Sequence, residues 1–305
     1  MIEWIWIPIT IAAALFQCLR TALQKFLKGR MSTTASTFTR FAFGMPVAIV
    51  YIFVLLKIAG FETPSPGPAF FAWVTAGGLS QIIATFLLLH VLSFRNFPVG
   101  VAYTKTEVIQ AAVFGLVFLG DRLTAWGTAS ILISTLGVML ISLVASGNPL
   151  RALLTGWLEK PAIYGMISGA FFAVSAIGYR AASLSLGHES PFVAASYSLA
   201  WATTIQTAVM GCYLLWRERE QFANLAAAWR PSLLAGLTSV LGSAGWFTAM
   251  TLQAVAYVRT LGLVELLFTF LISWLWFREK ARATEVLGVV LIVVGIAMVL
   301  NHPLS

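Results

Sequence analysis

The feature that most constrains this chain is a series of long, continuous apolar stretches separated by short polar breaks. A helix needs about 20 mostly apolar residues to cross the hydrocarbon core of a bilayer, and ten stretches of the sequence reach that length. Their approximate bounds are 4–27, 35–57, 70–92, 98–119, 124–145, 160–183, 192–215, 231–253, 255–277 and 283–300. We therefore expect an all-α integral membrane protein with ten transmembrane helices and no separate soluble domain.

The composition agrees with a chain that has lipid as its solvent. Hydrophobic residues make up 59% of the sequence and charged residues 10%, whereas soluble domains carry about 25% charged residues. A transmembrane barrel is excluded because barrel strands alternate apolar and polar residues over about ten positions. The net charge of +8 does not indicate a nucleic-acid partner, because the basic residues are scattered at the ends of the apolar stretches, as in membrane proteins.

The sequence also contains an internal repeat. A shift of 158 residues brings together Gly78-Leu79 and Gly236-Leu237, Glu107 and Glu265, Asp121 and Glu279, and Gly137 and Gly295. Because each copy holds an odd number of helices, the second copy must enter the membrane in the opposite orientation. We expect two inverted five-helix repeats, at residues 1–146 and 160–305. Inverted repeats place a substrate site near the middle of the bilayer and open it alternately to either side.

The distribution of Lys and Arg predicts the orientation of the chain. The odd-numbered connections hold twelve basic residues and the even-numbered connections hold three. Since basic residues favour the cytoplasmic side, this bias places both termini outside the cytoplasm.

Two segments carry a resemblance to a known family. The first runs from Gly100-Val101-Ala102-Tyr103 through Phe118-Leu119-Gly120-Asp121-Arg122-Leu123-Thr124 to Gly127 and Gly137. The second runs from Ala256-Tyr257 through Phe277-Arg278-Glu279-Lys280 to Gly288 and Gly295. Both resemble the EamA-type domain of the drug/metabolite transporter superfamily. In that signature a membrane Glu commonly precedes a Pro; Glu107 and Glu265 match the Glu, and Val108 and Leu266 replace the Pro.

The resemblance extends to the first helix and sets further expectations. Leu15-Phe16-Gln17-Cys18-Leu19 is similar to the first helix of the small multidrug resistance pumps of the same superfamily, but Gln17 stands where those pumps have a proton-exchanging carboxylate. Their proton site therefore does not transfer to this chain. The superfamily implies a multi-pass protein of a bacterial-type inner membrane, expected here to be a monomer. Its ten-helix members usually have cytoplasmic termini, an alternative to the orientation given by the charge count.

Ionisable side chains inside the apolar stretches are the main candidates for function, because each costs a few kcal/mol in lipid unless it is paired or lines a polar cavity. Glu107 and Glu265 are the strongest, since the repeat relates them. They either line one cavity and exchange protons or neutralise Lys105 and Arg259. Those two cations, near the starts of their helices, either bind a substrate anion or reach the headgroups.

Other polar and aromatic residues complete the candidate site. Gln17 and Arg20 lie one turn apart and could bind a carboxylate, or be paired structurally. Arg40 begins the second stretch, from where its long side chain can reach the interface. Tyr103, Trp246 and Tyr257 could enclose a planar or cationic ligand, or they anchor the helices. The patterns Gly165-x-x-x-Gly169 and Gly242-x-x-Gly245 predict close helix contacts.

These observations favour a secondary transporter that works by alternating access. No Gly-rich phosphate-binding loop, metal-binding cluster or nucleophile elbow occurs in the sequence, so we expect neither a cofactor nor an enzyme. The excess of cations in the helices points to an anionic or zwitterionic, amino-acid-like substrate, and Glu107 and Glu265 would also suit a cationic drug, carried by efflux. The substrate gradient or protons would drive transport. A membrane enzyme and a non-transporting scaffold are the alternatives.

Overall fold

The structure, a computed structural model, describes residues 4–27, 29–91, 94, 97–143, 155–268 and 282–301. Within these ranges all regular secondary structure is helical, as expected. The helices are α1 Trp6–Leu27, α2 Thr33–Ala42, α3 Met45–Phe53, α4 Pro68–Val91, α5 Phe97–Thr104, α6 Glu107–Phe114, α7 Ala125–Leu143, α8 Lys160–Ser185, α9 Pro191–Arg217, α10 Gln221–Ala227, α11 Trp229–Leu252, α12 Val255–Gly262 and α13 Ala283–Leu300. Helices α3 and α6 continue as the π-helical turns Val54–Ile58 and Gly115–Leu119.

Eight helical segments of the described chain are long and apolar enough to cross a membrane. They are Trp6–Gln24, Thr33–Ile58, Pro68–Val91, Val99–Leu119, Ala125–Leu143, Lys160–Ser185, Trp229–Leu252 and Ala283–Leu300. The stretch at 192–215 forms α9, which has 27 residues but is less apolar because Ser, Thr and Gln occur along it. The stretch at 255–277 ends outside the described residues, as do Glu279 and the 277–280 motif. The chain is a multi-pass membrane protein, and the count of ten remains a prediction.

The second span is bent between α2 and α3. Pro46 occupies the first turn of α3, and because proline has no backbone N–H it cannot continue the hydrogen bonds of α2. Gly44 precedes it, and a Cβ atom at this position would lie 2.6 Å from the carbonyl oxygen of Arg40. The bend separates a polar, buried α2 from a more apolar α3.

The chain forms two compact units that each combine parts of both sequence halves. The first unit comprises residues 1–79 and 178–252, and the second unit comprises residues 80–177 and 253–305. Helices α4 and α8 contribute one end to each unit. These units differ from the predicted repeats at 1–146 and 160–305. The units group residues that are in contact, whereas the repeats group residues that are similar in sequence.

In the first unit, α1 packs along α11. A Cβ atom on Gly245 would lie 2.8 Å from the Cβ of Ala13, and one on Gly242 would lie 3.3 Å from the Cβ of Phe16. This close approach confirms the contact that Gly242-x-x-Gly245 predicts. Helices α3, α4, α8, α9 and α11 share a core that includes Phe70, Leu199 and Phe247.

In the second unit, α7 packs along α13 at three glycines. A Cβ atom on Gly137 would lie 2.6 Å from the carbonyl oxygen of Gly288, and Gly295 faces Ser130 and Ser134. The predicted contact at Gly165 and Gly169 is also confirmed, because these residues lie against the backbone of α5.

Candidate functional site

Two membrane helices of the second unit are broken where charged residues lie. Helix α5 ends at Thr104 and α6 begins at Glu107. Helix α12 ends at Gly262, and the helix resumes at residues 264–268. The span predicted at 98–119 is present as Val99–Leu119, and the break is a local interruption within it. Hydrogen bonds to the residue three positions back, which tighten the turn, replace the regular pattern at each break.

The hydrogen bonds at the two breaks correspond under the predicted repeat. The amide of Lys105 donates to the carbonyl of Ala102 at 3.0 Å, and the amide of Leu263 donates to that of Thr260 at 3.2 Å. The next pair, Val108 to Lys105 and Leu266 to Leu263, also matches. All these positions are related by the 158-residue shift. Broken helices at corresponding positions of two halves are typical of substrate sites in transporters.

Four charged side chains form two ion pairs near these breaks, and each pair contains one residue from each sequence half. The Nζ atom of Lys105 lies 3.4 Å from Oε1 of Glu265, and a guanidinium nitrogen of Arg259 lies 3.4 Å from Oε1 of Glu107. Each pair joins one sequence half to the other, so each glutamate is compensated by a cation distant in sequence. The structure therefore supports the ion-pairing interpretation of both glutamates.

The cluster is electrically balanced and partly accessible. Side-chain exposure is 27% for Lys105, 18% for Arg259 and 16% for both glutamates. Charges this poorly hydrated need partners in a membrane segment. Glu107 is also in the first turn of α6, where the helix dipole stabilises a carboxylate. The two ion pairs cancel each other's charge, so a group with no net charge fits the cluster best.

Gln110 joins this region although the sequence analysis did not select it. Its amide nitrogen donates to Oγ1 of Thr106 at 3.0 Å and to the carbonyl of Met166 at 3.3 Å. Its position one turn after Glu107 was the available signal, since residues three apart share a helix face.

The predicted tyrosines of the second unit, Tyr103 and Tyr257, take part in apolar packing, and their role in binding stays a prediction. Tyr103 is buried with Val99, Ala102 and Met139. Tyr257 packs beside Ile131, and its ring lies against Gly127 so closely that a Cβ atom there would overlap it. In this structure they contribute to the walls of apolar clusters.

The remaining predicted residues, Gln17, Arg20 and Trp246, belong to the first unit. Gln17 and Arg20 are half-buried on α1, and Trp246 is buried on α11, the helix on which α1 packs. The backbone nitrogen of Gln17 lies next to Gly242 of α11. The two helices thus bring these residues to one contact region.

Further buried polar groups of the first unit escaped the sequence analysis. Gln206 donates to the hydroxyl of Tyr179 at 3.0 Å and to the carbonyl of Gly78 at 3.3 Å. The ring of Tyr179 stacks on Phe247, with centroids 4.3 Å apart. The signal for Gln206 was an amide side chain in the middle of a membrane stretch.

Arg40 lies inside the first unit, and the expectation that it reaches the interface is wrong. Only 9% of the residue is exposed. It is near the end of α2, immediately before the bend, and its guanidinium lies 4.7 Å from the ring of Phe41. The bend at Gly44 and Pro46 turns the chain, so Arg40 belongs to the interior of the span.

Comparison with known proteins finds a similarity in the second half of the chain. The EamA-like transporter family matches residues 160–301. No curated protein matches the sequence. A solved crystal structure has a similar fold, with a TM-score of 0.69 and 16% sequence identity, and the match covers 96% of this chain and 95% of that chain.

Proposed function

We propose that this chain is a transporter of the drug/metabolite transporter superfamily, which its similarity to the EamA-like transporter family over residues 160–301 supports. The protein is a secondary transporter with two inverted five-helix repeats in a bacterial-type inner membrane. It carries a zwitterionic, amino-acid-like metabolite by alternating access. The observation that carries the proposal is a set of two ion pairs near two corresponding helix breaks. Glu107 pairs with Arg259, and Glu265 pairs with Lys105.

The charge balance of the cluster favours a zwitterion. An amino acid carries one carboxylate and one ammonium group. An amino acid bound between Lys105 and Glu265 would compensate both charges. Its carboxylate would accept hydrogen bonds from Lys105, and its ammonium group would donate to Glu265. A purely anionic or cationic substrate would leave one buried charge uncompensated, which costs several kcal/mol.

The same pairs connect binding to a conformational change. Each pair joins the region of the α5–α6 break to the segment around α12. Opening a path at this place therefore requires at least one pair to separate. A substrate that replaces both contacts stabilises the separated state, and a ligand shifts an equilibrium only through such differential contacts. The helix breaks at 105–106 and 263 are the natural hinges. Protonation of either glutamate would also release its cation, which offers a route for proton coupling.

The test is counterflow in proteoliposomes made with the purified protein. Radiolabelled zwitterionic amino acids, dicarboxylates and a cationic dye are compared as substrates. We expect amino acids to give the strongest counterflow, and we expect Glu107→Gln and Glu265→Gln to reduce it at least tenfold. Glu189→Gln is the matched control, because Glu189 is exposed in the connection between α8 and α9.

The other outcomes would point to different functions. Counterflow of the dye alone would indicate that the substrate is a cationic drug and not a zwitterion. No counterflow of any probe by folded protein would contradict transport and favour a membrane enzyme or a scaffold.

A further inference from the structure

Three exposed arginines of the first unit lie over exposed aromatic rings. The distances from guanidinium carbon to ring centroid are 4.5 Å for Arg30 over Phe26, 4.1 Å for Arg217 over Trp216 and 5.4 Å for Arg230 over Trp229. Trp216 is 71% exposed and Trp229 is 51% exposed. A ring covers only one face of the planar guanidinium group, so the N–H groups at its edge remain able to donate hydrogen bonds.

The three pairs lie at one end of the first unit. Arg30 is in the connection between α1 and α2, Arg217 is the last residue of α9, and Arg230 is the second residue of α11. The hydroxyl of Ser32, in the α1–α2 connection, donates to a carboxylate oxygen of Glu218, the residue after α9. The seven residues of α10 lead from there to α11. We call the surface formed by these three arginines and their rings the basic end.

The basic end carries an excess of positive charge. Residues 29–32 and 217–230 contain four arginines and two glutamates, an excess of two cations. One of these glutamates, Glu218, accepts the hydrogen bond from Ser32. The fourth arginine, Arg219, donates from Nε to the carbonyl of Leu215 in the last turn of α9, where a cation is favourable. The basic end therefore attracts anions from outside the chain.

The opposite end of the first unit has the reverse charge. The connections at 59–67 and 186–190 contain two glutamates and neither lysine nor arginine, and Lys57 is in the helical turn before the first of them. A ring nitrogen of His188 lies 3.0 Å from the carbonyl oxygen of Glu62, so the two connections meet. Because α2 with α3, and also α9, run from one end of the unit to the other, the two ends face opposite sides of the membrane.

We infer that the basic end binds the phosphate headgroups of anionic phospholipids. Tryptophan favours the headgroup level of a bilayer, and basic residues favour one side of it. Guanidinium groups donate strong, charge-assisted hydrogen bonds to phosphate oxygens, and the ring beside each guanidinium is an apolar surface for the lipid below its headgroup. An exposed soluble-anion site would not need three exposed rings. The inference depends on the chain spanning a membrane and not on the proposed transport function.

The test is a lipid titration of the purified protein in detergent, followed by its Tm. We expect phosphatidylglycerol to raise the Tm of wild type by several degrees more than phosphatidylcholine, because a ligand of the folded state stabilises it. In Arg217→Gln/Arg230→Gln the midpoint of the phosphatidylglycerol titration should rise about fivefold for each arginine removed. The Tm in phosphatidylcholine should stay as in wild type, since both side chains are exposed.

Arg122→Gln is the matched control for the loss of a positive charge. Arg122 is also exposed, but it lies in the connection before α7, one of the even-numbered connections. This variant should keep the wild-type midpoint. An equal midpoint in wild type and Arg217→Gln/Arg230→Gln would overturn the inference. If the double variant does not fold, the single variants replace it, and unchanged midpoints in both would have the same consequence.

Inorganic phosphate in place of the lipid distinguishes a lipid surface from a site for a soluble anion. We expect phosphate alone to leave the Tm unchanged, because no acyl chain holds it at the rings. An equal rise of the Tm with phosphate, lost in the double variant, would overturn the lipid as the occupant. Absence of counterflow with an intact phosphatidylglycerol effect would contradict transport and leave this inference standing.

Discussion

The Nζ atom of Lys105 lies 3.4 Å from Oε1 of Glu265, a residue 160 positions later in the chain. The pair connects two helices at the places where both are broken. Because Arg259 and Glu107 form the reciprocal pair, the four charges hold the two sequence halves together and remain balanced. This arrangement makes the cluster both a structural element and the best candidate for binding charged substrate groups.

Loss of one partner should destabilise the protein. In Glu265→Gln, Lys105 faces a neutral amide inside a membrane segment. We expect the stability to fall by about 1–3 kcal/mol, below the 3–5 kcal/mol of a fully buried pair, because these side chains are 16–27% exposed. The measurement is the Tm in detergent, with Glu189→Gln as the control.

The double variant Lys105→Met/Glu265→Gln should recover part of that loss, because it removes the stranded cation as well. A double variant that loses as much as the two single variants combined would show that the residues do not interact.

Transport should depend on pH through the two glutamates. The proposed proton coupling requires protonation of Glu107 or Glu265 to release the paired cation, so uptake by wild type should change with pH. Glu107→Gln and Glu265→Gln should remove that dependence, since an amide does not titrate. Uptake of the best amino acid substrate at several pH values is the measurement, and Glu189→Gln should keep the wild-type profile. Normal pH dependence in both variants would exclude these residues from proton coupling.

Contact between α7 and α13 should require glycine at position 137. A Cβ atom there would lie 2.6 Å from the carbonyl oxygen of Gly288, so Gly137→Ala must push two helices apart. We expect a loss of about 1–3 kcal/mol, measured as a lower Tm. Gly67→Ala is the matched control, because nothing lies within 4 Å of a Cβ atom at Gly67. Equal Tm values for the two variants would show that the helices adjust without cost.

The charge distribution predicts that both termini are outside the cytoplasm. The odd-numbered connections contain twelve basic residues, whereas the even-numbered connections contain three. Alkaline phosphatase is active only outside the cytoplasm. When this enzyme is fused to the C-terminus, it should therefore be active. A cytoplasmic fluorescent fusion in the same position should be dark. The reverse result would support the cytoplasmic termini usual in the superfamily.

The sequence by itself determined the properties that depend on local composition and spacing. Hydropathy depends on which residues follow one another, so the apolar stretches predicted eight spans that the structure describes with nearly the same bounds. Glycine spacing depends on helix period, and it located the contacts at Gly165 and Gly242. The repeat selected Glu107 and Glu265, with Lys105 and Arg259 as the candidate cations.

Only the tertiary structure decided which groups meet. Helix α5 ends at Thr104 without a proline or glycine at Lys105 or Thr106, so no local rule predicts the break. The partner of Glu107 is Arg259, and not its neighbour Lys105, because pairing depends on the packing of α6 against α12. Burial of Arg40 depends on the bend that follows it and on the helices around it. Hydropathy is a property of each residue type and can be read from the sequence. The partners of a side chain depend on which helices pack together, and only the tertiary structure gives that.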